Sequence, residues 1–173
     1  MNIELKAKAQ KIKVVAFDVD GVMTDGSLTF LEDGREIKTF NAKDGQGIVL
    51  LNRAGFKTAI ITARDNATVE LRFNMLGMHS LYKGQKNKAE AFEKLLKEHN
   101  VTAEEVAYMG DDLPDICVLK QVGLSACPAD AVDEVKEVAY YITSKNGGRG
   151  AVREFCDLIR RANNIVEGNV RAV

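Results

Sequence analysis

Long apolar runs are missing from this chain, and so is an excess of either charge. No stretch approaches the roughly 20 apolar residues of a membrane span. Charges interrupt the N-terminal M-N-I-E-L-K-A-K-A-Q-K-I-K throughout, so it lacks the apolar centre of a secretory signal. The expected compartment is the cytoplasm, with no membrane partner. Twenty-four Lys and Arg stand against twenty-five Asp and Glu, a net charge of −1 that offers nucleic acid no basic surface. An anionic substrate must then be met by locally placed cations. Cys117, Cys127 and Cys156 are odd in number and lack C-x-x-C spacing; each lies in an apolar pattern and is expected to be a small buried core residue. No G-x-x-x-x-G-K-[ST] occurs, which excludes a P-loop, and no repeat or Pro/Ser-rich linker divides residues 1–173, so one domain is expected.

What is present is organised around Lys13 to Asp25. Val14-Val15-Ala16-Phe17 is too short for a helix and suits a strand buried on both faces. It ends at Asp18 and Asp20, two apart and therefore on one side of extended backbone, with Gly21 turning the chain away. Two carboxylates that close repel, and a hard cation taking oxygen ligands, Mg2+, would relieve them and leave an oxygen free to act as nucleophile. Alone, D-x-D-G fits a strand end with acidic turn residues equally well.

Beyond it, strand and helix patterns alternate. Gly26 to Phe40 reads as a β-hairpin about Asp33-Gly34, pairing Phe30 with Ile37 and Leu28 with Thr39. A loop, Asn41 to Gly47, precedes a short helix from Ile48 to Ala54. Strands are expected at Lys57–Ile61, Ser80–Tyr82, Val106–Met109, Leu124–Cys127 and Tyr140–Thr143. Helices follow Asp65 or Asn66 and Asn87, cover Ala131 to Val138, and close the chain with Val152, Phe155, Cys156 and Ile159 on one face. Lys6, Lys8, Lys11 and Lys13 read as a solvated run, and His79 and His99 as structural.

Such alternation predicts an α/β fold, a doubly wound parallel sheet whose strand C-termini gather along one edge, where these folds bind ligands. Asp18 and Asp20, Thr62, Asp111 and Asp112 all fall at strand ends on that edge, and Lys88 opens a helix there. Helix capping explains some of these carboxylates but not a lysine among them.

D-V-D-G-V, Thr62, Lys88 and G-D-D-L-P-D resemble the four motifs of the haloacid dehalogenase superfamily of phosphohydrolases. V-D-G-V-M-T-D-G, F-N-A-K-D-G-Q-G-I, G-Q-K-N-K and G-G-R-G-A-V-R-E-F together resemble the 3-deoxy-D-manno-octulosonate 8-phosphate phosphatase family, over nearly all of the chain. The resemblance implies a Rossmann-like core without a cap domain, whose hairpin assembles homotetramers, and a role in lipopolysaccharide precursor synthesis. It implies hydrolysis of a phosphomonoester through an aspartyl-phosphate on Asp18, with Asp20 as acid and base, Thr62 and Lys88 on the phosphoryl group, and Mg2+ on Asp18, the Asp20 carbonyl and Asp111. Asp112 and Asp115 would orient Lys88 and metal-bound water. For the substrate, a small anionic sugar phosphate, contacts are expected from Asp20, Lys88, Asn41, Ala42, Lys43, Asp44 and Gly45. Arg64 and Arg72, eight residues apart or about two helical turns, would clamp its carboxylate, and Arg149 would add charge from the glycine-rich Gly147–Gly150 segment, in the same or a neighbouring subunit. Val49 stands where the family usually has a basic residue, which leaves a nine-carbon sugar acid phosphate as an alternative substrate. A phospho-accepting receiver module would share the sheet, the acidic pocket, a Thr and a Lys, but its acidic pair is adjacent and its acceptor follows a later strand.

Overall fold

The apolar run at 14–17 is the central strand of a six-stranded parallel sheet in the computed structural model, which describes residues 1–165. This strand, β1 (Val14–Phe17), lies in the order β5-β4-β1-β6-β7-β8, beside β4 (Lys57–Ile61) and β6 (Val106–Met109) and flanked by β5 (Ser80–Tyr82), β7 (Leu124–Cys127) and β8 (Tyr141–Ile142). Period-2 alternation divides its side chains between two layers. Val15 and Phe17 join α1 (Ile3–Lys11), α2 (Ala42–Arg53), α3 (Ala67–Met75) and α7 (Ala151–Ala162); Val14 and Ala16 join α4 (Lys88–His99), α5 (Ile116–Leu119) and α6 (Asp133–Val138). Phe17, Phe92 and Phe155 are fully buried in these layers, each contributing about 1.5–3 kcal/mol relative to exposure. Phe17 is level with Ile60 on one side and Met109 on the other, so the chain leaves β1, β4 and β6 at one edge.

The expected strands are all present, the last shortened to Tyr141–Ile142; the N-terminal lysines are largely solvated as expected, on a helix the pattern did not announce, and three local expectations change. The basic N-terminal run is helical: Asn2 accepts from the Leu5 N–H (2.7 Å), and Leu5 and Ala9 are buried while most of its lysines stay exposed. The Asn41–Gly47 loop is the first half of α2, capped by Asn41 through the Lys43 N–H (2.8 Å). Gly45 and Gly47 hide that helix by their low propensity, and packing against α7 overrides it. Strands β2 (Thr29–Phe30) and β3 (Glu36–Ile37) pair Thr29 with Ile37 and Phe30 with Glu36, one residue away from the expected register. The Leu31 N–H reaches the Arg35 carbonyl (2.8 Å) and the Gly34 N–H the Leu31 carbonyl (2.9 Å), so the loop holds three residues, with Gly34 at φ +84°. A three-residue loop with a left-handed glycine sets a different register from a two-residue turn. Cys127 and Cys156 are buried, but Cys117 is exposed, its Sγ toward the Pro114 carbonyl at 3.3 Å.

Candidate active site

The loops after β1, β4 and β6, with the first residue of α4, enclose a cavity of about 260 Å³. Asp18, Asp20, Thr62, Arg64, Lys88, Asp111, Asp112 and Asp115 line it together with Pro114. The loop after β1 is tight because the N–H groups of Met23 and Thr24 both turn back to the Val19 carbonyl (2.9 and 3.0 Å).

Lys88 Nζ lies 2.9 Å from Asp18 Oδ1 and 2.6 Å from Asp115 Oδ1, all three groups almost wholly buried. Burial alone would lower the Lys88 ammonium, but the two carboxylates outweigh it and push it up, so the lysine is firmly cationic. Asp115 is the organiser. Its Oδ1 also accepts from the Tyr108 O–H (2.6 Å), and its Oδ2 accepts from the N–H groups of Asp111 (3.1 Å) and Asp112 (3.3 Å). Thr62 Oγ1 accepts from the Arg64 N–H (3.2 Å), which leaves its own proton to donate within the cavity.

Oxygens of Asp18, Asp111 and Asp115 all lie within 4.8 Å of one another. Asp115 is saturated by its four donors, whereas Asp111 Oδ1 is buried without any hydrogen-bond partner. Burial first, and then Asp115 against the opposing pull of Lys88, pushes Asp18 up to about 7. Burial followed by Asp18 and Asp115 pushes Asp111 up to about 8. Crowded, desolvated carboxylates with an orphaned oxygen fit a hard divalent cation with Asp18 and Asp111 as ligands.

The Asp20 side chain turns from this cluster toward the hairpin. It pairs with Lys38 Nζ, and its other oxygen is 4.0 Å from Arg64 Nε. Lys38 and its second partner Glu36, at 2.9 Å, were absent from the sequence-based site. The available signal was the alternation E-I-K-T-F, which puts Glu36 and Lys38 on the hairpin face opposite Ile37. The hydrogen bond from Lys38 holds the Glu36 carboxyl below its usual range, against partial burial.

Several expected substrate contacts do not line the cavity within one subunit. Arg72 lies over the Phe40 ring, 5.6 Å from its centroid, and donates to the Asn41 carbonyl at 3.3 Å. Arg64 precedes α3, so two-turn helical spacing does not relate it to Arg72. Asp44 is committed elsewhere: its carboxylate accepts from the N–H groups of Arg153 (2.8 Å) and Gly150 (3.2 Å), capping α7 from outside that helix. Asn41, Ala42, Lys43 and Gly45 sit at the start of α2, apart from the cavity wall. Arg149 pairs with Asp25 at 2.8 Å, and a second cavity, lined by Lys43, Lys145 and Arg149, opens beside it. Gly147 and Gly148 press against the β1 loop of their own chain, where a Cβ on Gly147 would lie 1.7 Å from the Gly21 carbonyl. Asp112 caps the turn that follows it through the Leu113 N–H (2.7 Å). The tail beyond 165, which the family resemblance brings toward a neighbouring pocket, lies outside the described residues.

Residues 57–155 match the sequence profile of the haloacid dehalogenase-like hydrolases. The chain is 46% identical over 161 residues to a 3-deoxy-D-manno-octulosonate 8-phosphate phosphatase of Yersinia pestis, spanning 93% of this chain and 86% of that protein. The chain belongs to this phosphatase family. The Escherichia coli K12 member is 45% identical over 92% of this chain and 85% of its own. The fold agrees as well. A crystal structure of the Yersinia pestis phosphatase superposes with a TM-score of 0.95 at 44% identity, covering 97% of this chain and 91% of that one. The Moraxella catarrhalis phosphatase, solved in complex with a magnesium ion, a phosphate ion and a KDO molecule, gives 0.91 at 39% identity and 94% coverage of each chain. The protein is thus a haloacid dehalogenase-type phosphatase, and Asp18-Val19-Asp20, with both carboxylates after the first strand of the sheet, has the family's order and not a receiver module's.

Proposed function

We propose that this phosphatase hydrolyses 3-deoxy-D-manno-octulosonate 8-phosphate, a step of lipopolysaccharide precursor synthesis in the cytoplasm, through an aspartyl-phosphate on Asp18. The observation that carries the chemistry is the convergence of Asp18, Lys88, Thr62 and the unpartnered Asp111 oxygen in the cavity that Asp20 also lines. Asp18 attacks phosphorus while Asp20, as the acid, protonates the departing alkoxide. Asp20, now a carboxylate, removes a proton from the water that hydrolyses the aspartyl-phosphate and restores Asp18. Lys88 and the Thr62 hydroxyl stabilise charge on the phosphoryl oxygens, and Asp115 holds Lys88 in place. Mg2+, held by Asp18, Asp111 and the Asp20 carbonyl, would supply the remaining charge neutralisation when bound. The substrate assignment is supported by family membership and by the KDO-bound relative.

A panel of phosphorylated sugars and sugar acids, assayed with Mg2+ and with a chelator, tests this reading. The eight-carbon sugar acid phosphate is expected to give the highest kcat/KM, and chelation to abolish turnover. Preference for a nine-carbon sugar acid phosphate or for a neutral sugar phosphate would replace the substrate assignment while leaving the phosphatase chemistry intact.

The working form we propose is a homotetramer in which neighbours complete the pocket. Leu28, Phe30 and Ile37 on the hairpin are 51%, 58% and 43% exposed, an apolar surface the subunit does not cover. Lys43, Arg72 and Arg149 lie away from their own subunit's cavity, which is open to solvent and is lined, among the described residues, by no cation besides Arg64 and Lys88. Mixed tetramers of inactive Asp18→Asn and inactive Arg149→Ala subunits are expected to recover activity. No recovery, from a sample shown by light scattering to contain mixed tetramers, would mean that each subunit works alone.

A further inference from the structure

Of all the charged groups in the hairpin, Lys38 is the one driven inward. Its side chain is 1% exposed, on a ribbon whose other strand, Thr29–Phe30, is wholly exposed. A lysine is removed from water only where opposite charge compensates for its lost hydration, and two carboxylates do so here. Asp20 Oδ1 lies on one side and Glu36 Oε1, 2.9 Å away, on the other. Glu36 is itself fixed: its second oxygen accepts from Asn66 Nδ2 at 3.3 Å and lies 3.9 Å from Arg64 Nη1. Arg64 closes the circuit at 4.0 Å from the free oxygen of Asp20.

Three segments therefore share one charge network: the loop after β1, the hairpin that follows it, and the loop after β4. Asp20 and Arg64 line the cavity, whereas Lys38 lies behind Asp20 and does not. Its direct contact with the cavity wall is through that carboxylate, and it reaches Arg64 by way of Glu36. A carboxyl group that gives a proton to a leaving oxygen and later takes one from water must return to the same place in both half-reactions, and a free Asp side chain has several rotamers. We propose that Lys38 is a positioning residue that holds the Asp20 carboxyl toward the leaving-group side of the cavity, with Glu36 keeping Lys38 in place. The hairpin thus carries part of the acid–base apparatus in addition to any role between subunits. This inference rests on the reading of Asp20 as acid and base, and the experiment separates the two.

The test compares two substrates in pre-steady-state and steady-state turnover: the sugar-acid phosphate, whose alkoxide needs a proton to leave, and p-nitrophenyl phosphate, whose phenolate does not. Correct placement of a general acid is worth about 10²–10⁴-fold. Lys38→Met is expected to slow phosphoryl transfer from the sugar-acid phosphate by at least about tenfold, a part of that range, with KM changed by less than about threefold. Transfer from p-nitrophenyl phosphate is expected to remain near the wild-type rate. Release of nitrophenolate should then show a burst, because hydrolysis of the aspartyl-phosphate still needs the positioned base. Glu36→Gln should show the same substrate selectivity in weaker form, and it provides the decisive measurement if Lys38→Met does not fold, as judged by circular dichroism. Equal losses on both substrates, or a raised KM with kcat unchanged, would overturn the inference for Lys38. Asp20→Asn serves as the reference. If it too fails to discriminate between leaving groups, the reading of Asp20 is wrong; if it discriminates and Lys38→Met does not, only the positioning role fails.

Discussion

Asp18→Asn is expected to lower kcat by at least about a thousandfold while leaving the protein folded. The substitution changes no volume, and the amide oxygen can still face Lys88 Nζ, which lies 2.9 Å from Asp18 Oδ1. What disappears is the anionic oxygen proposed to attack phosphorus, and an amide is no substitute for it. Stability is expected to move the other way. The carboxyl of Asp18 is pushed up to about 7, by burial first, with Asp115 adding to it and Lys88 opposing. A carboxyl raised in the folded state favours the protonated form, so its contribution is fully present below the ordinary Asp range near 4 and is lost as pH rises toward 7. A neutral amide removes that loss. Without divalent cations at pH 8, Asp18→Asn should melt no lower than the wild type, and adding Mg2+ should stabilise it less than it does the wild type. Phosphate release and thermal unfolding, measured on the same preparations, check both halves. Turnover near the wild-type rate would remove Asp18 from the nucleophile's role.

Asp115→Asn carries the largest expected cost to stability. Oδ1 accepts from Lys88 and Tyr108, both at 2.6 Å, and Oδ2 from the N–H groups of Asp111 and Asp112 at 3.1 and 3.3 Å. All four partners are donors. An asparagine must turn its NH2 toward one pair or the other, so either the Lys88 ammonium and the Tyr108 hydroxyl or two backbone N–H groups face another donor in a buried site. Breaking a buried pair in this way costs about 3–5 kcal/mol. For a chain of this length that corresponds to a fall in Tm of about 6–20 °C. Activity should fall with it, since Lys88 loses the partner that aims it. An unchanged melting temperature would mean that the four bonds to Asp115 do not hold the site together.

The relation between chain and site differs from residue to residue. The β1 run, the acidic pair after it, Thr62, Lys88 and Asp111 were legible because each is a local pattern: an apolar strand of fixed length, or a polar residue where a strand or helix ends. Parallel crossovers then bring those ends to one edge whatever lies between them. Asp115 was legible as a support, although its four bonds were not.

Other features needed coordinates because no short-range rule encodes them. Asp44 reads as a loop carboxylate beside the substrate, but it caps α7 more than a hundred residues away. The glycines at 45 and 47 argue locally against the helix that contact with α7 imposes. The register of the hairpin turned on a three-residue loop in place of a two-residue one, a difference of a single hydrogen bond between Leu31 and Arg35. Lys38, an unremarked lysine in E-I-K-T-F, became a partner of Asp20 only when the hairpin folded back over the β1 loop. By itself, then, the sequence determined the parallel sheet, the succession of its elements and the gathering of the carboxylates, threonine and lysine at one edge, since these follow from periodicity and chain direction. Tertiary structure alone decided which charges compensate one another, because burying an ionised group depends on partners from distant segments arriving within a few ångströms.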